Sequence, residues 1–196
     1  MQLKIDQTDI DRAARDLDNL AQEMPHVAVR AINKALDGVK TDAKAIIREL
    51  YNYKAATLDG RMTKQQATRA NIQGALISKG GPVHLTDIVG TRQTARGVSV
   101  NVRKDTGRQL IPRAFIAAGR ISGKQIVFRR VGDPPGQHLR LVGRRPIEAK
   151  YTAHPEVLYN APENWARIQV AAAERLDTNI AREVDAEFRR QEGKWT

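Results

Sequence analysis

Ala114-Phe115-Ile116-Ala117-Ala118, then Gly119-Arg120-Ile121-Ser122-Gly123-Lys124, then Gln125-Ile126-Val127-Phe128-Arg129-Arg130-Val131 is the stretch that decides the fold. Two runs rich in Ile, Val and Phe flank a break that carries two glycines, the pattern of a β-hairpin. In the second run Val127 and Val131 face one way and Ile126 and Phe128 do not, so burial on both faces is open to it.

Upstream, Ile72 to Ser78, Pro82 to Ile88 and Val98 to Val102 are similar short apolar runs, separated by Gly80-Gly81, Gly90, Gly97 and Gly107. With Arg113 to Ala118 and Gln125 to Val131 they predict a small central antiparallel β-sheet in a β-rich region over 71–150. Asp133-Pro134-Pro135-Gly136 reads as a surface loop, and the path through Pro146 and Pro155 as extended and irregular.

Outside that region the periodicity is helical. Ile10, Ala14, Leu17 and Leu20 recur at three- and four-residue steps, with Thr8 or Asp9 available as a cap. Pro25 is expected to break or re-aim the chain before a second, longer amphipathic helix carrying Val29, Ile32, Leu36, Val39, Ala43, Ile46 and Leu50. Gly38 weakens that helix and points to a close helix contact. Lys54 to Ala70, broken at Gly60, reads as one or two short helices, the second capped by Thr63, so that 7–70 forms a helical N-terminal region. At the other end Trp165, Ile168, Ala172, Leu176, Ile180, Val184 and Phe188 step by three and then by four. They predict one long C-terminal amphipathic helix over 162–192, started at Pro162 or Asn164 and ended before Gly193. Trp165, Ile168, Leu176, Ile180, Val184 and Phe188 are its packing stripe. Long helices, a small sheet and a long helix make an α+β fold, expected as a single domain over 1–196.

Composition narrows the function. Aromatic residues are 5% of the chain, so a core must come mainly from Ala, Val, Ile and Leu, and part of the stability is expected from neighbouring subunits. The absence of cysteine excludes disulfides, thiolate nucleophiles and cysteine-containing zinc sites, and suits a reducing cytoplasm. No apolar run approaches the ~20 residues of a membrane span, and Met1-Gln2-Leu3-Lys4-Ile5-Asp6 leads straight into charge, so a soluble, unexported protein is expected.

The net charge of +11 calls for an acidic partner. Twelve Lys or Arg against three acids between Arg103 and Lys150 place +9 of that charge in one segment. Two readings stay open: contact with nucleic-acid phosphates or an acidic protein surface, or a solvated sheet whose arginines guard its edges. Arg129, Arg130, Arg140, Arg144 and Arg145 are the candidate contact residues. Adjacent strand residues point to opposite faces, so at most one of Arg129 and Arg130 serves a given surface.

Catalytic patterns are missing. Gly119 to Lys124 has three residues between its glycines and no Ser or Thr after the lysine, unlike a phosphate-binding loop. His26, His84, His138 and His154 stand singly, without metal-ligand spacing. Ser78, Ser99 and Ser122 lack a nucleophile's context, and Asp9/Asp11 and Asp16/Asp18 read as solvated helix faces. No catalytic residue, metal or cofactor is expected.

Three stretches in order carry a resemblance: Ile111-Pro112-Arg113-Ala114-Phe115-Ile116-Ala117, Gly123-Lys124-Gln125-Ile126-Val127-Phe128-Arg129-Arg130, and Arg144-Arg145-Pro146-Ile147. Ala31-Ile32-Asn33, Ala70-Asn71-Ile72-Gln73 and Gly81-Pro82-Val83-His84-Leu85 precede them. In that order the chain resembles the lambda-type phage minor tail protein Z family. Ile111, Pro112, Ala114, Phe115, Ile116, Val127, Phe128, Arg130, Arg145, Pro146 and Ile147 form the family-like motif. The resemblance implies a non-enzymatic tail-completion protein of a long-tailed bacteriophage, in the virion at the head-proximal end of the tail and in host cytoplasm during assembly. It implies a homo-oligomeric ring meeting tail terminator, tail tube or tape-measure and neck connector proteins, with the phage DNA end as a further partner and no membrane. The alternative is a non-specific nucleic-acid-binding accessory protein.

Overall fold

The computed structural model describes residues 7–120, 122–131 and 147–192, with the backbone alone at 7–17, 19–20 and 192. The fold is α+β. Helix α1 (Gln7–Leu50) and helix α2 (Ala55–Asp59) lead into strands β1 (Met62–Gln65), β2 (Ala75–Ser78) and β3 (Val83–His84), then a 3-10 turn (Leu85–Asp87). Strands β4 (Arg92–Thr94), β5 (Gly97–Val100), β6 (Gln109–Pro112), β7 (Ala114–Ala118) and β8 (Gln125–Arg130) follow, then β9 (Ile147–Ala149) and β10 (Tyr151–Thr152). Helices α3 (Pro155–Tyr159) and α4 (Pro162–Glu192) close the order. Two compact units divide the chain: one of 1–42, 63–77 and 166–196, the other of 43–62 and 78–165.

In the first unit the buried line of α1 is Val27, Ala31, Ala35 and Val39, at steps of four. Of the expected stripe, Val39, Ala43 and Ile46 are buried, whereas Val29, Ile32, Leu36 and Leu50 are half-buried. Alanine at the innermost positions lets neighbouring chain approach closely. Gly74 lies so near Ile32 and Leu36 that a Cβ there would sit 2.7–2.8 Å from their side chains. Gly38 does mark a close contact, since the Arg175 side chain of α4 occupies the space a Cβ would take.

Pro25 does not break the helix, contrary to expectation. It removes one backbone donor, but Ala21 and Pro25 are both exposed, so the carbonyl left unpaired faces water. Helical sequence on both sides carries the ladder past it. The side chains of Ile10, Ala14, Leu17 and Leu20 lie outside the described residues.

The second unit holds most of the apolar core: Ile46, Ile47, Tyr53, Leu58, Val83, Ile88, Val98, Val100, Ile126, Val127 and Leu158. Tyr53 is fully buried, donates its hydroxyl to the Ala153 carbonyl at 2.8 Å, and titrates above the ordinary tyrosine range because burial penalises the phenolate. Buried Asn164, at the start of α4, donates its side-chain amide to the Leu158 carbonyl at 2.8 Å, joining α4 to α3.

One central sheet was expected; the strands instead form four small sheets, β1–β2, β3–β10, β4–β5–β6 and β7–β8–β9. Frequent glycines turn the chain before any strand exceeds six residues. Gly97 is the clearest case: its φ is +149°, and a Cβ would collide with the Ile111 carbonyl on β6. The predicted hairpin forms as β7 and β8, with Phe115 opposite Phe128 and Ile116 opposite Val127. Both faces of β8 are covered, since Ile126 and Val127 are buried.

Two other expectations are corrected. The second short helix before Ala70 is absent; Met62–Gln65 is β1, because pairing with β2 overrides a weak helical preference. The path after Ile147 contains β9, β10 and α3 rather than irregular chain.

Candidate nucleic-acid or acidic-partner interface

Strand β8 presents the twin arginines. Arg129 stands opposite Ala114 on β7 and Glu148 on β9; Arg130 stands opposite Ile147. Successive residues alternate faces, and the two environments differ. On Arg129's side the Glu148 carboxylate accepts a 2.8 Å hydrogen bond from Lys150, which chiefly holds it below the usual carboxylate range, with a smaller contribution from Arg129. Arg130 has no acid nearby among the described residues. Its guanidinium lies over the Phe115 ring, 5.5 Å from the centroid, and that ring packs on Phe128 at 5.9 Å.

Part of the basic segment is spent on the fold. Arg103 pairs with Asp105 at 2.9 Å and lies over Tyr51. Lys104 donates to the Arg48 carbonyl, and Arg108 to the Gly90 carbonyl at 2.9 Å and to Ser99. Arg113, Arg120 and Lys124 are exposed and make no ion pair with the described residues. Arg140, Arg144 and Arg145 lie outside the described residues, as does Pro146.

Two arginines that sequence reasoning did not select join Arg130. Arg96 follows β4, where the chain turns into β5, and Arg113 sits at the corner between β6 and β7. With Gln93, Phe115, Val131 and neighbouring backbone they line an open cleft of about 430 Å³. Arg113 has φ of +59°, the left-handed region that costs a side-chain-bearing residue about 1–2 kcal/mol. Its amide donates to the Arg96 carbonyl at 3.2 Å, which ties the two corners together. No sequence signal marks Arg96; the Pro112-Arg113 corner between two apolar runs was the available hint for Arg113.

The family-like residues gather in adjoining strands. Ile111 and Pro112 end β6, Ala114, Phe115 and Ile116 are in β7, Val127, Phe128 and Arg130 in β8, and Ile147 in β9.

The expected packing stripe of α4 is buried only in part. Ile168 is buried, Leu176 and Val184 are half-buried, but Trp165, Ile180 and Phe188 are 41–48% exposed. The innermost residues of the later turns are Glu183 and Glu187. Arg30 Nε donates to Glu183 at 2.7 Å, its Nη2 donates to Glu187 at 3.0 Å, and Lys34 also pairs with Glu183. Those hydrogen bonds, Lys34's first and Arg30's second, hold the Glu183 carboxyl below the ordinary range. Arg175 grips Asp42 with two hydrogen bonds, at 2.7 and 2.9 Å.

The remaining polar groups have structural surroundings. The Gly119 amide donates to the Lys124 carbonyl and the Gly123 amide to the Gly119 carbonyl, both at 2.8 Å, so neither is free to cradle a phosphate. His26 accepts from Arg69 and His154 from the Gly81 amide, His84 is stacked on Tyr151, and His138 lies outside the described residues. Among the described residues no three His, Asp or Glu side chains group as a metal site, and no helix is long and apolar enough to cross a membrane. Compared with known protein families, characterised proteins and solved structures, the chain matches none of them.

Proposed function

We propose that the chain is a structural tail-completion protein of a long-tailed bacteriophage, acting without catalysis at the head-proximal end of the tail in tail completion and head–tail joining. The observation that carries this reading is the convergence of the family-like segments. Residues 111–116, 127–130 and 147 are separated in sequence yet occupy β6 and the hydrogen-bonded strands β7, β8 and β9.

Two features support the rest. Trp165, Val170, Ile180 and Phe188 leave large apolar area exposed along α4, which suits a subunit whose neighbours cover it in a ring. Exposed arginines without acidic partners suit a surface that meets DNA or an acidic ring in the neck. A second reading, a free nucleic-acid-binding accessory protein, is favoured by the charge alone.

Complementation separates the two. In lysates lacking the chain, unjoined or defective tails should accumulate beside filled heads, and purified chain should restore infectious particles. Normal particles assembled without it would refute the tail reading and leave the accessory one.

A further inference from the structure

We propose that the cleft between the β4–β5 turn and the β6–β7 corner is a binding site for a phosphodiester strand, with Arg96, Arg113 and Arg130 taking its phosphates. This rests on reading the basic surface as a nucleic-acid contact, and it moves the centre of that contact from the twin arginines to these three.

The lining is one-sided in charge and in hydrogen bonding. Arg96, Arg113 and Arg130 are exposed guanidinium groups, and no acid is among the described residues that line the cleft. None of the three forms an ion pair with the described residues, whereas Arg103, Arg108, Lys104 and Lys150 of the same region are engaged in the fold. Gln93 adds to the asymmetry. Its Oε1 accepts from the Ile116 amide at 2.6 Å, so what it has left to offer is its amide donors.

Such a surface suits a ligand that only accepts hydrogen bonds and repeats its charge. Phosphodiester oxygens do both, and guanidinium forks match them. An acidic peptide fits less well, because each of its backbone amides needs an acceptor and these side chains offer few.

The shape favours one strand over a duplex. A duplex presents a convex surface to protruding side chains. Here the arginines surround a concavity of about 430 Å³ whose apolar wall is Phe115 and Val131, room for a nucleotide with its sugar or base against that wall. Arg130, already stacked on Phe115, holds its charge at that wall without an anion present. The left-handed backbone of Arg113 is a local cost that no hydrogen bond or ion pair of its side chain with the described residues offsets.

Fluorescence anisotropy of a labelled 12-nucleotide oligothymidylate, titrated with full-length chain over a range of salt, tests the site. The variant Arg96→Gln/Arg113→Gln/Arg130→Gln should bind roughly tenfold or more weakly, and its log–log salt slope should fall by about 0.7 for each phosphate that is no longer neutralised. Arg92→Gln/Arg120→Gln/Lys124→Gln removes the same charge from residues outside the cleft and should change affinity less than about threefold. Circular dichroism and melting of both variants establish that they fold. If the first does not, Arg96→Gln/Arg130→Gln, which spares the strained corner, replaces it.

Equal losses in the two variants overturn the proposal in favour of diffuse charge. So does binding of an oligoglutamate peptide as tight as that of the oligonucleotide. A cleft variant that loses the strand yet restores particle assembly leaves the site standing and removes its role in assembly. A chain that binds no strand but restores assembly removes the site and leaves the tail reading intact.

Discussion

The two compact units are held by different physics. The unit of 43–62 and 78–165 buries Ile47, Tyr53, Leu58, Val98 and Val127 to within a few per cent, as ordinary apolar cores do. The unit of 1–42, 63–77 and 166–196 buries alanines and valines on α1, and its α4 turns carboxylates inward to meet Arg30 and Lys34. Apolar burial is insensitive to salt and pH. An ion-paired helix contact is not, because taking charge out of water is offset only while every partner is present. The contrast separates a stable β-rich body from a helical part whose packing responds to solution conditions.

The largest effect expected falls on the apolar unit. Ile47→Ala removes a fully buried side chain and should destabilise that unit by about 4 kcal/mol in urea denaturation, with faster amide exchange concentrated in 43–62 and 78–165. If exchange accelerates equally in both units, they do not differ as described.

Arg30→Ala comes next. It removes one partner from each of two carboxylates whose side chains are 2% and 8% exposed, leaving Arg190 on Glu187 and Lys34 on Glu183, and should cost the helical unit about 2 kcal/mol. Glu183→Leu/Glu187→Leu, by contrast, should come out neutral or stabilising, since apolar replacements need no partner. Loss of comparable size in both variants would mean that the carboxylates contribute net stability.

Acidification acts more gently on the same contact. Because the folded Glu183 pKa lies below the unfolded glutamate value of about 4.3, its contribution is complete above that value and is lost as pH falls through the folded one. Helix exchange in α4 should therefore rise below about pH 4 before the β-rich unit responds. The smallest effect is Tyr53→Phe, which leaves the Ala153 carbonyl without its hydroxyl donor and should cost about 1 kcal/mol.

Reading the sequence located the long helices and the β7–β8 hairpin because their signals are local. Val, Ile and Phe flank a glycine turn in the hairpin, and Pro162 opens α4 as its position predicts. What it missed depends on partners distant in the chain. The inward face of α4 could not be found from hydrophobicity because Glu183 and Glu187 turn inward to meet Arg30 and Lys34, about 150 residues away, with the local Arg190 as a further partner of Glu187. β1 forms because β2 is there to pair with it, and Pro25 stays in a helix because it and Ala21, whose carbonyl it leaves without a donor, lie on the exposed side. In the candidate interface Arg130 was legible as one of two neighbouring arginines, but alternation alone did not say which one faces the cleft. Arg96 and Arg113 reach it through turns whose geometry no residue pattern announces.

A tail-completion subunit, as proposed here, is a stoichiometric part of the assembled particle. Quantitative mass spectrometry of purified infectious particles, scaled to a portal or tail-tube protein of known copy number, measures it directly. A small fixed copy number, of the size one cyclic ring requires, is the predicted result; absence of the chain from infectious particles would contradict the account.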